Sequence, residues 1–246
     1  MDWFTESGYP FAMLTPQHLL PLLVIAVSIA LLYAYREPLR RGMLRRTIRY
    51  GLAAVLLAFE AALYGWYFYY GIFTLEQSLP LHLCSISYLA TIAMLLRPSY
   101  RLYEFLYFAG IGGALQALLT PAAILSGFPH FTYFYFFIGH GAIVWVALYM
   151  TWVHGYRPTW RSIWRALLIM NGLLAIIIPV NALTGGNYFF VAEKPAGDTL
   201  LDYLGPWPWY LLSLEAVAAL LFVLMYLPFA RKRSAEPGAK QRNKAH

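Results

Sequence analysis

The chain has 246 residues, of which 61% are hydrophobic and 12% charged, with a net charge of +7. A water-soluble domain carries about 25% charged residues, so a chain this apolar cannot coat itself in water, and soluble enzyme classes are excluded. The basic excess does not mark a nucleic-acid partner, because Lys and Arg sit in short clusters between apolar runs rather than on one soluble face.

A spanning helix needs about 20 apolar residues, and seven runs meet or approach that length. Residues 1–10 lack the basic region of a secretory signal, so the first run, 16–35, is expected to be retained as a helix. The others fall at 50–73, 79–96, 103–122, 131–153, 164–183 and 207–229. The third is short and contains His82. Connections 36–49, 97–102 and 154–165 and the tail from 231 hold 17 of the 18 Lys and Arg residues, leaving Lys194 alone on the other side. Basic connections stay in the cytoplasm. The expectation is therefore an all-α, multi-pass bundle of the cell membrane with its amino terminus outside. Residues 1–230 would form a single seven-helix domain, and 231–246 a basic cytoplasmic tail lying against anionic lipid headgroups.

The opposite side collects acids and aromatics: Trp66 to Tyr70 at the end of the second run, Phe131 to Phe137 at the start of the fifth, and Trp207, Trp209 and Tyr210 at the start of the seventh. Such rings suit either an interfacial belt or a lipid-binding vestibule. The long connection 184–206 is dense in glycine and proline and is expected to fold back as a cap.

Polar groups at membrane depth are costly and so are functional candidates. They are Glu60, His82, Cys84, Gln116, His140, Asn171, Asn181 and Glu215. With the third and fifth spans both entering from the acidic side, Cys84 lies about 7 Å and His140 about 14 Å along its helix, at the usual rise per residue. A thiol beside an imidazole is competent for acyl transfer, since the ring can take the proton and return it. His82 is roughly 200° around a regular helix from Cys84 and is not its direct base unless the helix breaks, for which Leu79-Pro80 gives an opening. With one cysteine there is no internal disulfide and no cysteine-based zinc site, and neither a metal nor a cofactor is expected. Two further classes stay open. One is a small transporter or lipid-binding component using Glu60, His140 and Glu215, and the other a structural protein whose polar residues only join helices.

The string Leu79-Pro-Leu-His-Leu-Cys-Ser-Ile-Ser87, with Gly185-Gly-Asn-Tyr188, Lys194-Pro195 and the run from Leu200 through Gly205-Pro-Trp-Pro-Trp-Tyr210, resembles the YwaF-like family of bacterial integral membrane proteins. That family is similar to eukaryotic transmembrane protein 164, which looks like a cysteine-dependent phospholipid acyltransferase. The resemblance covers most of the chain, from the second span to the seventh. It implies a nucleophile at Cys84 and a base at His140, in Phe137-Ile-Gly-His-Gly141, acting on an acyl-donor lipid and a lysophospholipid acceptor or water. His82, Glu60, Gln116, Asn181 and Glu215 are the candidate substrate-binding residues around them.

Overall fold

A computed structural model describes residues 9–121, 126–194 and 203–233. The basic tail beyond Arg233, Leu200 to Asp202 of the long loop, and the acids Asp2, Glu6 and Asp198 lie outside them. The described chain is all-α. Helices α1 (Pro16–Ala34), α2 (Arg36–Leu39), α3 (Gly42–Tyr69) and α4 (Leu83–Leu96) are followed by a span built of α5 (Tyr100–Phe105), a π-helical turn (Leu106–Gly110) and α6 (Ile111–Leu119). Then come α7 (Phe131–Trp152), α8 (Trp160–Thr184), a 3-10 turn (Tyr188–Phe190) and α9 (Trp209–Arg233). Six of these spans are long and apolar enough to cross a bilayer, and α4 is a shorter apolar helix. The chain is therefore a multi-pass membrane protein.

Two spans form the centre. In α7, 67% of its apolar window is buried, and in α5–α6 61%, against 11% in α1 and α9 and 17% in α8. The last three are therefore lipid-facing walls, and their exposed leucines, such as Leu20, Leu168 and Leu220, face hydrocarbon rather than water. Helix α4 packs on α3, α7 and the π turn. Close approach is set by small residues. A Cβ at Gly139 of α7 would lie 2.9 Å from Tyr88 Cε2 of α4, and one at Gly113 would lie 3.2 Å from Leu83 Cδ2.

Most boundaries shift by up to four residues, and two of the starts have a clear cause. The second span begins at Gly42, well before residue 50, because Arg45, Arg46 and Arg49 are good helix formers and continue the helix beyond the apolar run. The third begins at Leu83 rather than 79. Leu79 precedes a proline and is barred from helical torsions, and His82 is extended at φ −68°, ψ 152°. His82 therefore lies outside the helix, and the chain breaks where Pro80 made a break conceivable. At the other end Arg97, before Pro98, is extended and stops α4.

With little water to compete, helices are tied by side-chain to main-chain bonds. Tyrosine hydroxyls donate to carbonyls of other elements: Tyr88 to Leu56 (2.8 Å), Tyr133 to Gln17 (2.6 Å), Tyr107 to Met225 (3.2 Å), Tyr149 to Arg45 (3.2 Å) and Tyr64 to Ser78 (3.1 Å). Each carbonyl has a second lone pair free for this even when its first serves the helix. At the basic end, Arg49 donates to Leu95 O (2.8 Å) and Leu96 O (3.0 Å), closing the orphaned carbonyls at the end of α4. Arg40 does the same for Trp152 O at the end of α7. Glu104, buried in α5, takes Ser162 Oγ at 2.5 Å and Arg165 Nη1 at 3.1 Å from α8.

Candidate active site

The site grows out of the break before α4. Fourteen residues rise about 21 Å, roughly 9 Å short of the ~30 Å hydrocarbon core, so with Leu96 at the basic interface the helix starts inside the membrane. Irregular backbone at such depth is stable only when covered by protein. The cover is the folded-back start of the long connection. Gly185, at φ +76°, ends α8, and the chain returns over the 70–82 loop so closely that a Cβ at Gly186 would lie 2.7 Å from Glu76 O. Tyr188, fully buried, donates its hydroxyl to Leu75 O (2.8 Å) and accepts from Leu79 N (3.0 Å). Its ring and that of Phe190 hold the His82 imidazole at centroid distances of 5.1 and 5.3 Å.

Cys84 consequently lies in the first turn of α4, not 7 Å along it, and is half-buried as a free thiol. The first helical hydrogen bond here is Ile86 N to His82 O (3.0 Å), and among the described residues the amides of Leu83, Cys84 and Ser85 have no acceptor. His82 supplies no side-chain cap. Three main-chain donors and the positive end of a helix dipole thus converge beside the only sulfur nucleophile of the chain. One turn on, Ser87 Oγ is buried without a partner.

His140 stands on α7, the helix against which α4 packs. Its Nδ1 donates to Phe136 O at 2.8 Å, and its ring lies 4.3 Å from that of Phe136. A carbonyl only accepts, so the bond places the ring proton on Nδ1 and leaves the lone pair on Nε2, the atom a base uses. Tyr88, one turn below Cys84, presses on Gly139, the residue before His140. No hydrogen bond joins Cys84 to His140.

The other candidates divide. Glu60 accepts from Tyr135 Oη (2.8 Å) between α3 and α7, and Tyr135 lies 5.4 Å, ring to ring, from Tyr88. Tyr88 is one helical turn from Cys84 on α4, so this tie stands near the Cys84 end of that helix. Asn181 spends its amide on Tyr188, donating to its O and accepting from its N at 3.0 Å each, so it holds the cap. Glu215 accepts from Asn171 Nδ2 (2.6 Å) and ties α9 to α8. Gln116 lines a lipid-facing groove of 420 Å³ between α6 and α9, with Ile111, Gly112, Leu221 and Met225. Glu60, His140 and Glu215 thus sit on separate ties and form no connected chain of polar groups.

The sequence shows Tyr188 and Ser87 only as members of shared strings and Tyr135 only as one ring of an aromatic run; their roles, and the free amides, matter only once the helix start is known. Sequence reasoning passed over Glu104 and His18. His18 Nε2 donates to Leu118 O (2.8 Å) while Nδ1 accepts from Leu14 N (3.2 Å), a saturated structural histidine. Among the described residues no cluster of His, Cys, Asp and Glu suits a metal ion.

No curated protein and no solved structure matches the chain. The sequence model of the TMEM164 family matches residues 13–226, from just before α1 to near the end of α9, and the chain belongs to that family.

Proposed function

We propose that the protein is a cysteine-dependent lipid acyltransferase or acyl hydrolase of the cell membrane. The observation that carries this is the position of Cys84, in the first turn of a helix that starts inside the membrane with three unpaired amides and packs on the helix that bears His140. Family membership supports the same reading. Cys84 Sγ attacks the ester carbonyl of a phospholipid while His140 Nε2 takes the thiol proton. The amides at the start of α4 hold the oxyanion. The S–C bond forms, the ester C–O bond breaks, and the leaving alkoxide receives the proton from His140. A lysophospholipid hydroxyl or a water then gives its proton to His140 and attacks the thioester. The acyl chain leaves the sulfur, and the thiol regains its proton.

With the basic connections in the cytoplasm, the site opens toward the outer leaflet. Glu60 and the tyrosines around it form the polar wall that meets the substrate headgroup, and His82 fixes the entrance under the Tyr188 cap. Acyl transfer from a phospholipid to a lysophospholipid, measured in proteoliposomes, is expected to vanish in Cys84→Ala. In His140→Ala it should fall by about 10²–10⁴-fold, the range for loss of a general base. A lipid-like electrophile should label Cys84 alone. Normal turnover by a folded Cys84→Ala protein sinks the proposal.

A further inference from the structure

The arginines of the basic end are not all alike. Arg41 and Arg46 are exposed to water, as topology-setting charges usually are. Arg49 is buried, and Arg45, one helical turn before it on the same face of α3, is half-buried. Two like charges at that spacing repel, and nothing acidic answers them: among the described residues the ion pairs are made by Arg36, Arg40 and Arg165. Arg49 is served by the carbonyls of Leu95 and Leu96. Arg45 is not. Its Nε is buried with no acceptor.

A second orphan lies at the same end of the bundle. His154, just past the end of α7, buries Nε2 without a partner. Tyr149 brings the two together. Its hydroxyl donates to Arg45 O (3.2 Å), its ring lies 5.6 Å from that of His154, and its own carbonyl accepts from His154 N (3.3 Å). Burial first, and then the charges of Arg45 and Arg49, lower the His154 imidazole to about 4, so the ring is neutral and Nε2 can carry the proton as a donor. Buried donors without acceptors are rare and costly in folded proteins, and more so when charged. Two such donors, on residues that both contact Tyr149 and under a net positive charge, lack an acceptor-only, negatively charged partner. They lie where α4 and α7 both end, the level at which a leaflet presents its phosphates.

We propose that Arg45, Arg49 and His154 form a binding site for the phosphodiester of an anionic lipid headgroup, at the basic end of the bundle and away from Cys84. Inorganic phosphate offers the same oxygens without the chains that hold it at this level.

The test is thermal unfolding of the purified full chain in neutral detergent with three additions at equal concentration: dioctanoyl phosphatidylglycerol, dioctanoyl phosphatidylcholine and inorganic phosphate. Phosphatidylglycerol is expected to raise Tm by about 5 °C, and the other two by much less. The shift should fall by more than half in Arg45→Gln and in His154→Phe, and persist in Arg46→Gln, whose side chain is exposed on the same helix. If Arg45→Gln does not fold, Arg45→Lys, which keeps the charge but loses the Nε donor, should still show a reduced shift. An undiminished shift in these variants overturns the site. Equal shifts with phosphatidylcholine, or with phosphate alone, overturn its assignment to an anionic lipid.

Discussion

Replacing Tyr188 with Phe removes one oxygen and leaves the ring. That oxygen makes two bonds, to Leu75 O at 2.8 Å and from Leu79 N at 3.0 Å, in a side chain with no exposure. Without it, a carbonyl and an amide of the 70–82 loop lose their partners under the cap, each at a cost of about 1–3 kcal/mol. The carbonyl, with two lone pairs, sits at the low end of that range. A net loss of about 2 kcal/mol against local opening is therefore expected, which is about 30-fold in the population of the opened loop. The chain's single thiol lies immediately after that loop and reports on it without any label site having to be introduced. Alkylation of Cys84 by a small maleimide, followed by mass spectrometry at constant temperature, should be about 30-fold faster in Tyr188→Phe at reagent levels where the loop recloses faster than it is labelled. Tyr107→Phe, which loses a bond to Met225 O at the basic end, should leave the rate unchanged. A folded Tyr188→Phe protein that labels at the parental rate would refute the view that this hydroxyl pins the loop over the sulfur.

Other expectations concern stability and turnover. Gly139→Ala puts a methyl 2.9 Å from Tyr88 Cε2 and should cost about 1–3 kcal/mol by overpacking, read as a lower unfolding temperature. Arg165→Met leaves Glu104 buried with Ser162 alone, and should destabilise by up to about 3 kcal/mol, less the discount for an arginine that is half exposed. Glu104→Gln keeps an acceptor for both partners and should cost less. Ser87→Ala removes a buried hydroxyl that has no partner and should leave stability unchanged or raise it. A loss of acyl transfer in the same variant would then be chemical rather than structural. Burial and the neighbouring arginines lower His154 from an ordinary 6.5 to about 4, so the fold favours the neutral ring. Stability is unaffected by this group above pH 6.5, falls as pH drops from 6.5 to about 4, and is level again below. The gap corresponds to about 3 kcal/mol, and partial exposure brings it to roughly 1–2 kcal/mol. His154→Phe should flatten that slope in unfolding curves taken across the range.

The sequence made the spans legible where composition and hydrogen bonding change together. Runs placed at 16–35 and 131–153 match α1 (Pro16–Ala34) and α7 (Phe131–Trp152) almost to the residue, since proline, histidine and glycine bound them. At 79–96 the two diverge: Leu79, Leu81 and Leu83 are equally apolar, yet Pro80 keeps the first two out of the helix. Hydropathy sees side chains, and the break is in the backbone. The π turn at Leu106–Gly110 was hidden for a related reason, because its extra residue shifts the helical phase within one uniformly apolar string. In the site, Cys84 and His140 stood out as polar groups at depth, and the structure puts them on packed helices. What each polar group is bonded to was not legible. Asn181 looked like a spare donor but is occupied by the main chain of Tyr188, a partner with no side-chain signature.

The tyrosine ties carry an evolutionary asymmetry. In each, the donor is a specific phenol, whereas the acceptor is a carbonyl that every residue type possesses. Leu56, Gln17, Met225 and Ser78 can therefore be exchanged for many other residues without loss of the bond, while Tyr88, Tyr133, Tyr107 and Tyr64 cannot. Related chains should keep the phenols and let the acceptor positions drift, so these contacts would leave almost no trace of paired substitution. A search for coevolving residues would then underestimate how firmly the helices of this bundle are joined.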